Sequence, residues 1–296
     1  MHWHRFLLVF SILITCATGT AAQTRDELKV IFLAGESWFG KQGYRYSLLD
    51  LALAKSGRSY SLTVADDNLP QKRRSAIMEK SSQPYIMIMG TNPKLETQHR
   101  AIYFPIYLGI GSGYRLFLAR KDLQDRLRAV RNLKDLQNFS IVQGMHWSDV
   151  AILRNAGLEI QEVARKSLLW KMTEIGRYDL FPRGMFEIFE EHANYKKQLP
   201  NLIVDDHLLI TYPFAIYYFV NKDNDELAAA IEAGLRAAYH GGELQDLLFK
   251  TIGPNVKKAL KEIKNRVRID LPAHNISPQT LEVIKKYPFD FSRIEN

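Results

Sequence analysis

The stretch from residue 141 to residue 187 constrains the fold most, because short apolar runs alternate there with amphipathic segments of helical period. Gly157 and Gly176 each follow such a segment and are typical helix-terminating residues. The predicted elements are a strand ending at residue 142, a helix from residue 147 or 148, a strand at 158–163, a helix capped by Ser167, and a strand at 178–181 that Pro182 ends. This alternation predicts parallel β-α-β units, whose ligands bind beyond the carboxyl ends of the strands. Those ends carry residues 143–147 and 182–184.

The first part of the chain repeats the same order of elements. Strands are predicted at residues 28–34, 60–64 and 84–89, and helices at residues 46–55 and 71–79. Two such units predict an α/β protein of two lobes. Trp38 lies in the loop after the first strand, where its ring either stacks on a ligand or covers the helix below.

Two motifs between residues 143 and 188 are shared with a known family. Their matching residues are Gln143, Gly144, Trp147, Asp149, Leu153, Gly157 and Leu158, followed by Gly176, Arg177, Asp179, Phe181, Pro182, Arg183, Gly184, Glu187 and Ile188. The combination resembles family 3 of the periplasmic solute-binding proteins, in particular a divergent branch described only as transporter substrate-binding. The resemblance implies the type 2 periplasmic binding protein fold, in which two doubly wound α/β lobes are joined by a hinge of two crossings.

The glycines at residues 109–113 are the first of these predicted crossings. A dinucleotide-binding loop is a poor interpretation, because that motif requires a following helix and residues 114–119 read as a strand. Glycines suit a hinge, since its residues must absorb changes in φ and ψ. We therefore assign residues 23–110 and 212–296 to lobe 1 and residues 111–211 to lobe 2.

The first 22 residues read as a cleaved signal peptide rather than as part of the fold. Residues 6–14 form an apolar core about half as long as a membrane-spanning helix requires. The small residues Thr20, Ala21 and Ala22 predict cleavage after Ala22, which places the mature chain in the periplasm. The alternative is a lipoprotein acylated on Cys16, the only cysteine of the sequence.

The net charge of +8 is a mild basic excess spread along the chain. It suits an acidic ligand or an anionic surface but is not typical of a nucleic-acid-binding protein. The densest basic run, at residues 257–268, fits a solvated helix face better than a membrane or partner site.

The resemblance also suggests which residues hold the ligand. In the amino-acid binders of the family, a Ser or Thr and an Arg bind the ligand carboxylate, and Thr91 and Arg100 occupy similar places here. The aspartate that binds the ligand ammonium has no clear counterpart, and Arg183 stands in its neighbourhood. An anionic or zwitterionic ligand is therefore expected. The predicted ligand-binding residues are Trp38, Thr91, Arg100, Gln143, Trp147 and Arg183. In the alternative, Arg183 pairs with Glu187 and touches no ligand.

Catalytic motifs give little support to an enzyme. The sequence contains neither a nucleophile elbow nor a P-loop, and the histidines after residue 22 form no H-x-H or H-E-x-x-H pair, so we expect no metal and no cofactor. Three functions remain open: a monomeric solute-binding protein that serves an ABC-type importer, a sensory protein that presents its ligand to a membrane receptor, and a small hydrolase or dehydratase on the same fold. Chromosomal neighbourhood distinguishes the first two, and turnover of the ligand identifies the third.

Overall fold

The computed structural model describes residues 26–34, 41, 43–65 and 69–294. The predicted signal peptide, Cys16 and Trp38 lie outside these residues. Within them, no helix combines the length and the apolarity that a membrane span requires.

Lobe 1 is built on a five-stranded sheet of order β2-β1-β3-β11-β4. β1 pairs in parallel with β2 and β3, and β11 runs antiparallel to β3 and β4. Its strands are β1 (Leu28–Leu33), β2 (Tyr60–Ala65), β3 (Tyr85–Gly90), β4 (Arg100–Ala101) and β11 (Ile216–Val220). Its helices are α1 (Tyr44–Lys55), α2 (Gln71–Lys80), α3 (Pro93–Gln98), α10 (Asp225–His240) and α11 (Glu243–Thr251).

Lobe 2 is built on a seven-stranded sheet of order β12-β10-β5-β8-β6-β7, with β9 beside β5. Its strands are β5 (Tyr114–Arg120), β6 (Ile141–Gly144), β7 (Ile160–Val163), β8 (Leu180–Gly184), β9 (Leu202–Val204), β10 (Leu208–Thr211) and β12 (Val267–Asp270). The helices of this part of the chain are α5 (Gln124–Arg128), α6 (Leu133–Leu136), α7 (Val150–Asn155), α8 (Lys166–Glu174) and α9 (Ile188–Tyr195). β6 is parallel to β7 and β8, which confirms the predicted β-α-β units.

The predicted end of the strand at Pro182 is wrong, because β8 continues to Gly184. Beyond Leu180, β8 pairs with β5 alone, so the missing N–H of Pro182 costs at most one ladder bond. This extension carries Arg183 into the sheet.

Two passages of the chain connect the lobes. The first passage contains Gly109, at φ 75°, and the short helix α4 (Ile110–Gly113). The second comprises residues 212–215, and Ser112 Oγ donates a hydrogen bond of 3.0 Å to the carbonyl of Phe214, so the two passages lie side by side. The fold therefore places the ends of both sheets at a common cleft.

The C-terminal part differs from the predicted lobe boundary. Residues 267–270, which we assigned to lobe 1, form β12 and pair in parallel with β10 of lobe 2. They follow α12 (Pro254–Glu262). The last helix, α13 (Pro278–Lys286), returns to lobe 1, where Tyr217 Oη donates to Thr280 Oγ1 at 3.1 Å. Residues after α12 thus contact both lobes.

Helices α1 and α10 of lobe 1 approach closely at Gly234. A Cβ at this position would lie 1.8 Å from the carbonyl oxygen of Ala52, which is a backbone atom of α1. Only glycine permits this helix contact without movement of one helix.

We expect Gly234→Ala to lower the free energy of unfolding by about 1–3 kcal/mol, because one helix must shift to admit the methyl group. Helix propensity alone would give the opposite sign, a gain of about 1 kcal/mol. Urea unfolding measures the change, with Ala233→Gly at the exposed neighbouring position calibrating the propensity term. A more stable Gly234→Ala variant would contradict the close approach.

Candidate functional site

A cavity of about 1030 Å³ lies between the two lobes. Lobe 1 contributes residues from β1, the start of α1 and residues 69–76, and lobe 2 contributes residues 144–149 and 183–191. The volume matches the upper range of small-molecule sites in proteins.

The lobe 2 wall contains a buried cluster of ion pairs centred on Glu191. Arg183 donates from Nε and Nη2 to the Glu191 carboxylate at 2.7 and 2.8 Å, a bidentate arrangement. Lys166 Nζ donates to Glu191 Oε1 at 2.6 Å. Arg183 lies near the end of β8 and Glu191 in the first turn of α9, so this cluster ties the helix to the sheet.

Glu187 connects this cluster to lobe 1. Its Oε2 lies 3.2 Å from Arg183 Nη2, and its Oε1 accepts a hydrogen bond from Arg45 of α1. Arg45 Nε also donates to Tyr107 Oη at 2.9 Å. Arg45 and Glu187 therefore form an ion pair that spans the cleft.

A third carboxylate, Asp149, lies at the inner end of the cleft. Its Oδ2 accepts hydrogen bonds from Gln143 Nε2 at 2.9 Å and from Tyr212 Oη at 3.1 Å. Arg115 Nη2 lies 3.2 Å from the same oxygen. All four side chains are buried.

Burial and ion pairing act in opposite directions on the pKa values of Glu187 and Glu191. Burial alone would raise the pKa of Glu191, but Arg183 and Lys166 lower it to about 2. For Glu187, burial is likewise outweighed by Arg183 and Arg45, which lower the pKa. Burial raises the pKa of Glu190, and the nearby Glu191 carboxylate raises it further. Glu190 is exposed and lines the cavity. Glu187 and Glu191 are therefore held ionised.

Ser148 makes a second polar connection across the cleft. Its Oγ donates to the carbonyl of Gly90 at 2.6 Å and accepts from Asn92 Nδ2 at 2.7 Å. Asn275, between β12 and α13, donates from Nδ2 to the Ser148 carbonyl at 3.2 Å. The lobes are thus in polar contact in this structure.

Basic side chains outnumber acidic ones among the described residues that line the cavity. The eight basic residues are Arg45, Lys72, Arg73, Arg74, Arg115, Lys166, Arg183 and Lys250. The four acidic residues are Asp149, Glu187, Glu190 and Glu191. This excess favours a ligand with negative charge.

Of the five predicted ligand-binding residues that the structure describes, Trp147 and Arg183 line the cavity. The Arg183 guanidinium lies 4.9 Å from the centre of the Trp147 ring. That ring packs against Gly144, where a Cβ would lie only 2.1 Å from Trp147 Cε2. Arg183 has features of both predicted alternatives: it lines the cavity, and it pairs with Glu187 in a buried setting rather than at the surface.

The other predicted residues lie elsewhere. Gln143 is fully buried behind the wall, where it binds Asp149. Thr91 donates to Glu96 at 2.5 Å and is absent from the described cavity lining. Arg100 lies on the edge strand β4, is 50% exposed, and pairs with Asp225 at 3.0 Å. Arg100 therefore lies outside the described lining of the cavity, and its role as a ligand-binding residue stays a prediction. Trp38 lies outside the described residues.

Sequence reasoning missed Arg45, Arg115 and Lys166. Arg115 is the second residue of β5, directly after the first crossing, and this position was a usable signal. Arg45 is the second residue of α1 and Lys166 is the first residue of α8. Nothing in their local sequence distinguishes them from surface residues at the start of a helix. Among the described residues, no group of three or more His, Cys, Asp or Glu side chains is arranged to hold a metal ion.

The sequence matches no family model and no curated protein. Solved structures do match the fold. The VFT2 domain of BvgS from Bordetella pertussis is 15% identical with a TM-score of 0.58, over 75% of this chain and 92% of that one. The fold is that of the type 2 periplasmic binding proteins. This confirms the fold implied by the family 3 resemblance.

Two further solved structures give the same result. A histidine kinase sensor domain with similarity to periplasmic binding proteins is 14% identical with a TM-score of 0.57, over 78% of this chain and 97% of that one. The arginine-, lysine- and histidine-binding protein ArtJ from Geobacillus stearothermophilus is 16% identical with a TM-score of 0.54, over 77% of this chain and 96% of that one. Identities this low establish the fold and leave the ligand to be argued from the cleft.

We expect Glu191→Gln and Glu190→Gln, on adjacent residues of α9, to change stability very differently. Glu191→Gln leaves Arg183 and Lys166 buried without their full countercharge and should cost about 3–5 kcal/mol at pH 7. Glu190→Gln removes a carboxylate whose ionised form is disfavoured, so it should be neutral or stabilising by less than about 1 kcal/mol. Urea unfolding of both variants decides the matter, and equal losses would contradict the pairing.

The lowered pKa of Glu191 also predicts how the stability of the protein depends on pH. The pKa of Glu191 is lowered in the folded state from 4.5 to about 2. Its stabilising contribution is therefore complete above pH 4.5 and is lost as the pH falls toward 2. The gap in stability between the wild type and Glu191→Gln should narrow over that interval.

Proposed function

We propose that this protein is a periplasmic solute-binding protein that captures a small organic anion between its two lobes and delivers it to an ABC-type importer. The observation that carries the proposal is the cavity between the lobes, lined from both sides and rich in basic side chains. Ligands of doubly wound sheets bind at the carboxyl ends of the strands. In this chain, Trp147 follows β6 and Arg183 lies near the end of β8.

The charge of the cleft favours an anion over a zwitterion. Glu187 and Glu191 are each bound by two cations, so they offer little to a ligand ammonium group. The similar protein ArtJ is described as binding arginine, lysine and histidine, ligands that carry ammonium groups. The cleft of this chain is therefore expected to take a different class of solute.

A sensory role is the second candidate. One similar structure is a histidine kinase sensor domain, and the Arg45–Glu187 pair connects the two lobes of this chain. A sensor requires a closed form that a membrane receptor can recognise, whereas an importer requires release of the solute to a permease. Pull-down of the mature protein with membranes from the source cell separates the two, because an importer partner is a permease and a sensor partner is a receptor kinase.

A ligand should raise the thermal stability of the mature protein. At a concentration 100 times its dissociation constant, a ligand stabilises the folded state by about 2.7 kcal/mol. A thermal shift screen of a metabolite library should therefore give its largest shifts with organic anions, and a bound hit should be recovered chemically unchanged. Shifts confined to cationic compounds would contradict the proposed solute, and turnover of the hit would indicate an enzyme.

A further inference from the structure

Arg115 is a buried cation of the cleft, and one of its nitrogen donors is unpaired among the described residues. A guanidinium group carries five N–H donors. Within the described part of the chain, Arg115 Nε has no hydrogen-bond partner. Its ion-pair distances are 3.2 Å from Nη2 to Asp149 and 3.9 Å from Nη1 to Glu187. Both exceed the 2.7–2.9 Å that is typical of a charge-assisted N–H···O bond.

Arg183, in the same cleft, makes shorter ion pairs than Arg115 does. Its Nε and Nη2 donate to Glu191 at 2.7 and 2.8 Å, and Nη2 also lies 3.2 Å from Glu187. Both arginines line the cavity and are buried. A buried charged donor that lacks a partner is costly, so the unpaired Nε and the long ion pairs of Arg115 indicate that its charge is incompletely compensated by the described residues. An anion in the cavity that Arg115 lines would supply the missing countercharge.

The position of Arg115 fits a planar anion. Its guanidinium carbon lies 5.1 Å from the centre of the Phe214 ring and 5.7 Å from that of Tyr212. These two rings belong to the second passage between the lobes, which fixes the orientation of the guanidinium plane. A carboxylate can accept from Nε and one terminal nitrogen at once, as Glu191 does from Arg183.

The rest of the cleft argues against an ammonium group and for an apolar body. Asp149, Glu187 and Glu191 are each within reach of a cation, so a ligand ammonium would have to displace a buried arginine or lysine. Much of the remaining lining is aromatic. The described aromatic residues of the lining are Phe32, Tyr44, Tyr46, Tyr107, Trp147, Phe186 and Phe214.

We propose that Arg115 binds a carboxylate of the ligand through its guanidinium group, and that the ligand has an apolar or aromatic body and no ammonium group. This inference rests on the proposed function and narrows it to one class of solute. Arg115 is then the residue that selects the class.

The test uses matched compounds on the wild-type protein. Isothermal titration compares 3-phenylpropanoate, L-phenylalanine and 2-phenylethyl phosphate, together with the same three head groups on branched and straight-chain alkyl bodies. The carboxylate without an ammonium group should bind more tightly than its amino-acid counterpart on the same body, by at least about tenfold.

Arg115→Gln and Arg120→Gln form a matched pair of variants at opposite ends of β5. Arg120 is paired with the exposed Asp122 and lies outside the described cavity lining. Arg115→Gln should weaken binding of the best carboxylate by about tenfold to a hundredfold, and Arg120→Gln should leave it unchanged. Arg115→Lys keeps the charge without the fork of donors, so it should bind with an intermediate affinity even if Arg115→Gln fails to fold.

The outcomes separate the inference from the proposed function. If an amino acid or a phosphate binds more tightly than the matched carboxylate, or if both Arg115 variants keep wild-type affinity, the role of Arg115 is wrong while solute capture stands. If no compound of the panel binds, both the ligand class and the proposed function are contradicted.

Discussion

The carboxylate of Glu187 is the interaction on which the geometry of the cleft depends. It binds Arg183 of its own lobe and Arg45 of the other lobe, and it lies 3.9 Å from Arg115. Burial of so many charges is tolerated only when each is paired, because an isolated buried ion costs several kcal/mol. The wall therefore has one low-energy arrangement, and it fixes the orientation of the basic groups that face the cavity.

This arrangement explains why the carboxylates of Glu187 and Glu191 offer little negative charge to a ligand. Glu191 is shared between Arg183 and Lys166, and its lowered pKa keeps it ionised near neutral pH. Arg115 is less fully paired, since its Nε has no hydrogen-bond partner among the described residues. A ligand that enters this cleft completes the network when it brings oxygen atoms, and it disrupts the network when it brings an ammonium group.

The parts of the fold that follow from local pattern were predictable from the sequence. The β6-α7-β7-α8-β8 unit is encoded by apolar periodicity and by glycines at helix ends, and the two lobes follow from its repetition. The placement of β12 was not predictable, because its partner β10 is distant in sequence and a short strand carries no signal of which sheet it joins. Arg100 and Arg115 pose the same problem: each lies at the start of a strand, and only the tertiary structure places the first at the surface and the second in the cleft.

Hydrogen–deuterium exchange with and without a confirmed ligand tests most directly whether the ligand is held between the two lobes. Peptides that cover residues 69–76 of lobe 1 and residues 144–149 and 183–191 of lobe 2 line the cleft. The account predicts that ligand slows amide exchange in all three segments together, since a ligand held between the lobes stabilises both walls. Slower exchange in one lobe alone, or only in segments outside the cleft, would contradict it.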